Sequence, residues 1–196
     1  MILNNSIKKK IQTAVTLALI SSGIIPAVKA EVNDANVDNP AGTTIDQGSG
    51  TKAVDLDNGS TFTITNAGTI SASSSNNYTS GINVDSSTTV STLTNSGTIL
   101  GETTTTSYRA GRGISIDSHA SIGTLTNSGT ITGQGRWYDG RGIYMSSTNG
   151  TLSSFINTSS GIIQGISGEG INGGQTNRGY VAIGASLFAS DSISTT

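Results

Sequence analysis

Hydrophobic residues along this chain fall in short runs at alternate positions, separated by Thr, Ser, Asn and Gly, and the runs recur on a steady beat. In Ala53-Val54-Asp55-Leu56-Asp57 the apolar pair Val54/Leu56 lies at i, i+2, and the same spacing returns in Ile82/Val84, Ile114/Ile116 and Ile143/Met145. A period of two marks a strand with one buried face, which puts Asp55, Asn83, Ser115 and Tyr144 on the opposite face. A second block, Thr65-Asn66-Ala67-Gly68-Thr69-Ile70, returns as Thr94-Asn95-Ser96-Gly97-Thr98-Ile99 and Thr126-Asn127-Ser128-Gly129-Thr130-Ile131, with a worn copy from Asn157 to Ile163. Its glycines, Gly68, Gly97, Gly129 and Gly161, are 29, 32 and 32 residues apart.

Self-similarity on this period is the mark of stacked repeats. Each repeat holds three strand-like pieces. The second piece supplies Ile64, Leu93, Leu125 and Phe155, and the third Ile70, Ile99, Ile131 and Ile163. No single piece can bury an apolar face alone. Stacked as coils about 4.8 Å apart, they place like on like in columns that fill a narrow interior. A helical reading fails because no 3.6 period runs beyond a turn and Thr, Ser and Gly interrupt every candidate segment. The expected fold is all-β, a solenoid of about four to five coils over residues 51–180, entered by an irregular lead-in at 31–50 and followed by a tail at 181–196.

The first 30 residues read differently. Lys8, Lys9 and Lys10 precede an uncharged apolar stretch from Ile11 to Ile25, Pro26 breaks it, and Val28 and Ala30 stand where small residues precede a cleavage point at Glu31. That is the three-part pattern of a secretory signal peptide, and the stretch is short for a membrane span. Its removal leaves 166 residues and, with four lysines gone, turns the net charge from −2 to −6.

Composition narrows the chemistry. Ser, Thr and Asn make up 75 of the 196 residues while Cys is absent and His119 is the one histidine, so neither a disulfide framework nor a Cys or multi-His metal site is expected. Only 11% of residues are charged, too few for a nucleic-acid surface. No cofactor and no metal are expected. The Asn-x-Gly-Thr corner implies a sharp bend, with Asn tolerating a left-handed backbone and Gly a positive φ. Asn66, Asn95, Asn127 and Asn157 are then expected to form a ladder of amides bonded from coil to coil.

The leader followed by iterated Thr-Asn-Ser-Gly-Thr-Ile and Gly-Ile-x-Val-Asp blocks, over about residues 50–172, resembles the passenger domains of bacterial autotransporters, the type V secreted proteins of Gram-negative cells. The resemblance implies a right-handed parallel β-helix exported through the periplasm and displayed at the outer membrane or released, and members are commonly adhesins, aggregation factors or toxins, which ties the chain to virulence. It also implies an outer-membrane β-barrel translocator, expected to be supplied elsewhere or lost by truncation, because no long series of alternating strands closes this sequence.

Candidate chemistry lies in three places. Asp57, Asp85 and Asp117 hold equivalent places, with Ser146 at the end of the column, and the pairing of acids suits either a cation or a β-helix polysaccharide lyase or hydrolase. Asx turns account for the same positions, and the strands beside the acids are expected to carry no Arg or Lys. His119 is expected as a solvated turn residue. Thr-x-Thr in Thr61/Thr63/Thr65, Thr92/Thr94 and Thr124/Thr126 suggests an ice-binding solenoid, although residues 153–157 interrupt the series. The third place is the segments between the third strand of one repeat and the first of the next. They collect Tyr78, Tyr108, Arg109, Arg112, Arg136, Trp137, Tyr138 and Arg141, residue types that make contact hot spots and stack on sugars. The function expected is a non-enzymatic exported passenger that binds a host or cell-surface glycan or protein through these loops, with no nucleic-acid partner.

Overall fold

The computed structural model describes residues 31–167 except 76, 86, 105–108, 137–139 and 146–148. Among the described residues every element is a strand, and the strands come in threes. The first coil holds β1 (Val32–Asn33), β2 (Val37–Asn39) and β3 (Thr44–Asp46). The second holds β4 (Lys52–Leu56), β5 (Thr61–Asn66) and β6 (Thr69–Ser74), and the third β7 (Thr79–Val84), β8 (Thr89–Asn95) and β9 (Thr98–Thr103). The fourth holds β10 (Gly111–Ile116), β11 (Ser121–Asn127) and β12 (Thr130–Gly135). The last holds β13 (Arg141–Met145), β14 (Thr151–Asn157) and β15 (Ile162–Ser167). Strand one of each coil pairs only with strand one of its neighbours, and likewise for two and three, giving three five-stranded parallel sheets. The described residues form a β-solenoid of about four turns.

Register locks the columns. Val54, Ile82, Ile114 and Ile143 stack in the first sheet, Ile64, Leu93, Leu125 and Phe155 in the second, and Ile45, Ile70, Ile99, Ile131 and Ile163 in the third. A further column, Phe62, Val90, Ile122 and Leu152, lines the second sheet. The core is sealed best in the middle. Ile82, Leu93, Ile114 and Leu125 are wholly buried, whereas Met145 and Ile163 in the last coil keep 8% exposure and Ile162 reaches 50%.

The segment 31–50, expected as an irregular lead-in, supplies the first coil instead. Its strands pair in register with those of the second coil, Asn39 with Asn66 and Ile45 with Ile70. Pro40 and Ala41 lengthen the corner between Asn39 and Thr44, which hid the match in the sequence.

The corners bend for a different reason from the one expected. None of Asn66, Asn95, Asn127, Asn157, Gly68, Gly97, Gly129 and Gly161 has a positive φ. Coils approach closely there: Thr130 N–H donates to the Gly97 carbonyl at 2.8 Å, and a Cβ built on Gly129 would fall on that same oxygen. Glycine is required by the neighbouring backbone. In the later coils left-handed backbone recurs at the turn between the first and second strands, at Gly59, Ser87, His119 and Asn149, each two residues before its strand, and among these corners only the longer one of the first coil carries it, at Gly42. His119 is exposed in that turn, as expected.

Candidate functional site

Five of the eight residues expected to form a contact edge are described, and two of those five are not in loops. Arg112 lies in β10 and Arg141 in β13, paired in register one coil apart, with Ser80 and Lys52 continuing the same row. Arg and Lys therefore do occur on the strands beside the acids, contrary to the sequence expectation. The period-two reading failed here because Gly113 and Gly142, the counterparts of the buried Ala53, let two consecutive residues face inward and turn the preceding side chain out. Arg109 sits just before β10, and Arg136 is exposed beyond β12 with Nη1 donating to the Thr104 carbonyl at 3.4 Å. Tyr108, Trp137 and Tyr138 lie outside the described residues.

The neighbouring outward row is Asp55, Asn83, Ser115 and Tyr144. Tyr144 completes the site, although sequence reasoning had marked it only as facing away from the core. Guanidinium carbons and phenol rings alternate along the face. Arg109 stands 4.9 Å from the Tyr78 ring centre and Arg112 4.7 Å from it, while Arg112 is 3.8 Å and Arg141 5.1 Å from the Tyr144 ring. Tyr78 leads into the third coil, Arg109 and Arg112 belong to the fourth and Tyr144 and Arg141 to the fifth, so these contacts join three successive coils. A cation over a ring face is attracted to the negative face of its quadrupole, each such contact being worth about 0.5–1 kcal/mol at a wet site.

Arg112, in the middle, is nearly enclosed. Its side chain is 13% exposed and its Nη1 donates to Ser115 Oγ at 3.1 Å, and that hydroxyl donates to Asp117 Oδ1 at 3.1 Å. Asp117 Oδ1 is 3.8 Å from the guanidinium, and Arg112 Nε is buried without an acceptor. Burial pulls the Arg112 pKa down, opposed by Asp117, and pushes the Asp117 carboxyl up, opposed by Arg112 and the Ser115 hydroxyl. At the other end of the face Lys52 Nζ reaches both Asp55 oxygens at 3.0 Å, and Asn83 donates to Asp55 at 2.9 Å. That ion pair is locally neutral. The Arg end is not.

The acid column is not a uniform site, and Asp117 feels the Asp85 charge as well as its own partners. Asp57 is exposed, Asp117 is tied to Ser115 and Arg112, and no cluster of three or more potential metal ligands occurs among the described residues. Backbone turns at Asp85 and Asp117, with Thr88 N–H and Ala120 N–H donating to their carbonyls at 3.0 and 3.1 Å, account for their place at the strand ends.

The asparagine ladder is present and one member longer than expected. Nδ2 donates to the next Oδ1 from Asn39 to Asn66, Asn66 to Asn95, Asn95 to Asn127 and Asn127 to Asn157, at 2.7, 2.7, 2.8 and 2.8 Å. The second N–H of Asn39 and of Asn66 reaches the Thr69 and Thr98 carbonyls at 3.0 and 3.1 Å. The Thr43 hydroxyl closes the open end by donating to Asn39 Oδ1. Its role is structural.

The second sheet turns a different surface outward. Three rows run along the axis: Thr61, Thr89, Ser121 and Thr151; Thr63, Thr92, Thr124 and Ser154; Thr65, Thr94, Thr126 and Ile156. A register shift between Phe62 and Thr63 admits one extra residue in the later coils and keeps the rows aligned. None of the twelve positions carries an ionisable group. Comparison with family models, with curated proteins and with solved structures finds no match to this chain.

Proposed function

We propose that this chain is an exported, non-enzymatic passenger of an autotransporter-like protein, displayed at the cell surface or released, that works by adhesive contact. The observation that carries the reading is the alternating Arg/Tyr row on the outer face of the first sheet. Arginine and tyrosine are favoured at contact hot spots, and side chains held on a strand ladder lose little further freedom when a partner arrives. The β-solenoid fold agrees with what the resemblance to passenger domains implies. The partner is a host or cell-surface glycan or protein, and passage through the outer membrane depends on a β-barrel translocator.

Adhesion of chain-coated beads to cultured epithelial cells tests the reading. Arg109→Ala with Arg141→Ala is expected to lose most of the adhesion while costing at most about 2 kcal/mol of stability, the sum of two cation–π contacts of ~0.5–1 kcal/mol each. Undiminished adhesion by this folded variant would sink the assignment of the contact face.

A second reading rests on the threonine rows. Hydroxyls and methyls repeat along two directions over the second to fourth coils, with Asp38 as the charged first-coil end of one row, and this regularity suits an ordered-water surface such as ice. Thermal hysteresis that vanishes in Thr94→Lys would favour this reading, and no hysteresis at high protein concentration would end it.

A further inference from the structure

We infer that the Arg/Tyr row is a docking face for a linear acidic polysaccharide, one carrying carboxylate or sulfate groups at regular intervals; the inference rests on the adhesive reading and names its ligand class. Charge complementarity is the first argument. The chain after its expected leader carries a net charge of −6, yet this face gathers Arg109, Arg112 and Arg141, with the Asp117 carboxylate 3.8 Å from Arg112. Arg112 and Arg141 stand one above the other in register, and the Arg141 charge opposes that of Arg112. An anion laid across them relieves that repulsion.

Stacking geometry supplies the second argument. A guanidinium lying over a ring keeps its N–H donors in its own plane, directed sideways past the ring, where they meet planar carboxylate or sulfate oxygens in pairs. Tyr78 and Tyr144 thus act here chiefly as supports that hold the forks, each ring already approached by two guanidiniums. The third argument is shape. Arg109 and Arg112 belong to the fourth coil and Arg141 to the fifth, about 4.8 Å away along the axis, so a polymer laid over the face meets all three cations. A single small anion reaches at most a neighbouring pair.

The test immobilises heparin, polygalacturonate and neutral dextran and titrates the purified chain onto each at low and at moderate salt. Binding to both acidic polymers, weakened by salt and absent on dextran, is the expected result. Arg109→Gln with Arg141→Gln is expected to weaken binding about tenfold or more, with the urea midpoint checked on the same sample. His119→Gln, in an exposed turn outside the row, leaves it unchanged. Equal retention on dextran, equal loss with His119→Gln, unchanged binding by the double variant, or preferential binding to anionic lipid vesicles each overturns the inference. A chain that adheres to cells yet binds neither acidic polymer refutes this ligand class and leaves the adhesive function standing. A chain that does neither removes both.

Discussion

Asn95 uses both ends of its amide: its Oδ1 accepts from Asn66 and its Nδ2 donates to Asn127, in a place no water reaches. Replacement by Ala strands a donor on one side and an acceptor on the other, each costing about 1–3 kcal/mol when buried. Asn95→Ala is therefore expected to lower stability by about 2–4 kcal/mol in urea denaturation. Asn157→Ala, at the exposed end of the same ladder, should cost less than about 1 kcal/mol, because water replaces the lost partner. A pair of glycine substitutions separates two reasons for glycine. Gly59→Asn should be tolerated within about 1 kcal/mol, since its φ of 75° suits Asn and Ser87, His119 and Asn149 already fill the equivalent position. Gly129→Asn should destabilise by about 3 kcal/mol or more, since its Cβ would meet the Gly97 carbonyl. Equal effects would mean that backbone conformation, and not coil contact, selects glycine at the corners.

At the scale of the element, β10 carries an outward cation whose counterion follows five residues on, just past the strand end, joined through Ser115. Burial leaves the folded Asp117 carboxyl above the usual carboxylate range, so the folded chain holds that proton more tightly than the unfolded chain. Its contribution to stability is accordingly most favourable below the unfolded pKa and is lost as pH rises through the raised folded value. Asp117→Asn keeps an acceptor for the Ser115 hydroxyl and removes the ionisation. The stability of Asp117→Asn relative to the parent is expected to increase from pH 3 to pH 7, measured by urea midpoints. A difference that is flat or that falls with pH would show that Arg112, rather than burial, dominates the site. The same element shows where sequence reading stopped. Alternation placed Tyr144 and Ser115 outward correctly, but Arg112 and Arg141 were assigned to loops, because the glycine after each breaks the alternation that marks a strand.

For the whole molecule, each coil touches only its neighbours, so the ends have one partner and the middle has two. Burial follows: side chains of the third and fourth coils are sealed, and those of the last coil are not. Amide hydrogen exchange is expected to be slowest in β7 to β12 and faster in β1 to β3 and β13 to β15, by fraying from the ends. Uniform protection across all five coils would mean that the solenoid opens as one cooperative unit.

The repeat itself determined most of this architecture. A period-two pattern renewed every 28 to 32 residues leaves stacking as the way to bury Val54, Ile82, Ile114 and Ile143, and the repeated asparagines then meet as a ladder. These features need only local alternation and identical copies, which a sequence displays directly. What only the tertiary structure decided is which residues from different coils share a face. The first coil was hidden by the longer corner at Pro40 and Ala41, since a stacked column tolerates insertion at a corner while a string comparison does not. Arg109, Tyr78, Arg112, Tyr144 and Arg141 span 67 positions of sequence, and they become one row because parallel register sets successive copies one rung apart. The close approach of neighbouring carbonyls, which selects Gly97 and Gly129, likewise exists only between coils and leaves no separate trace along the chain.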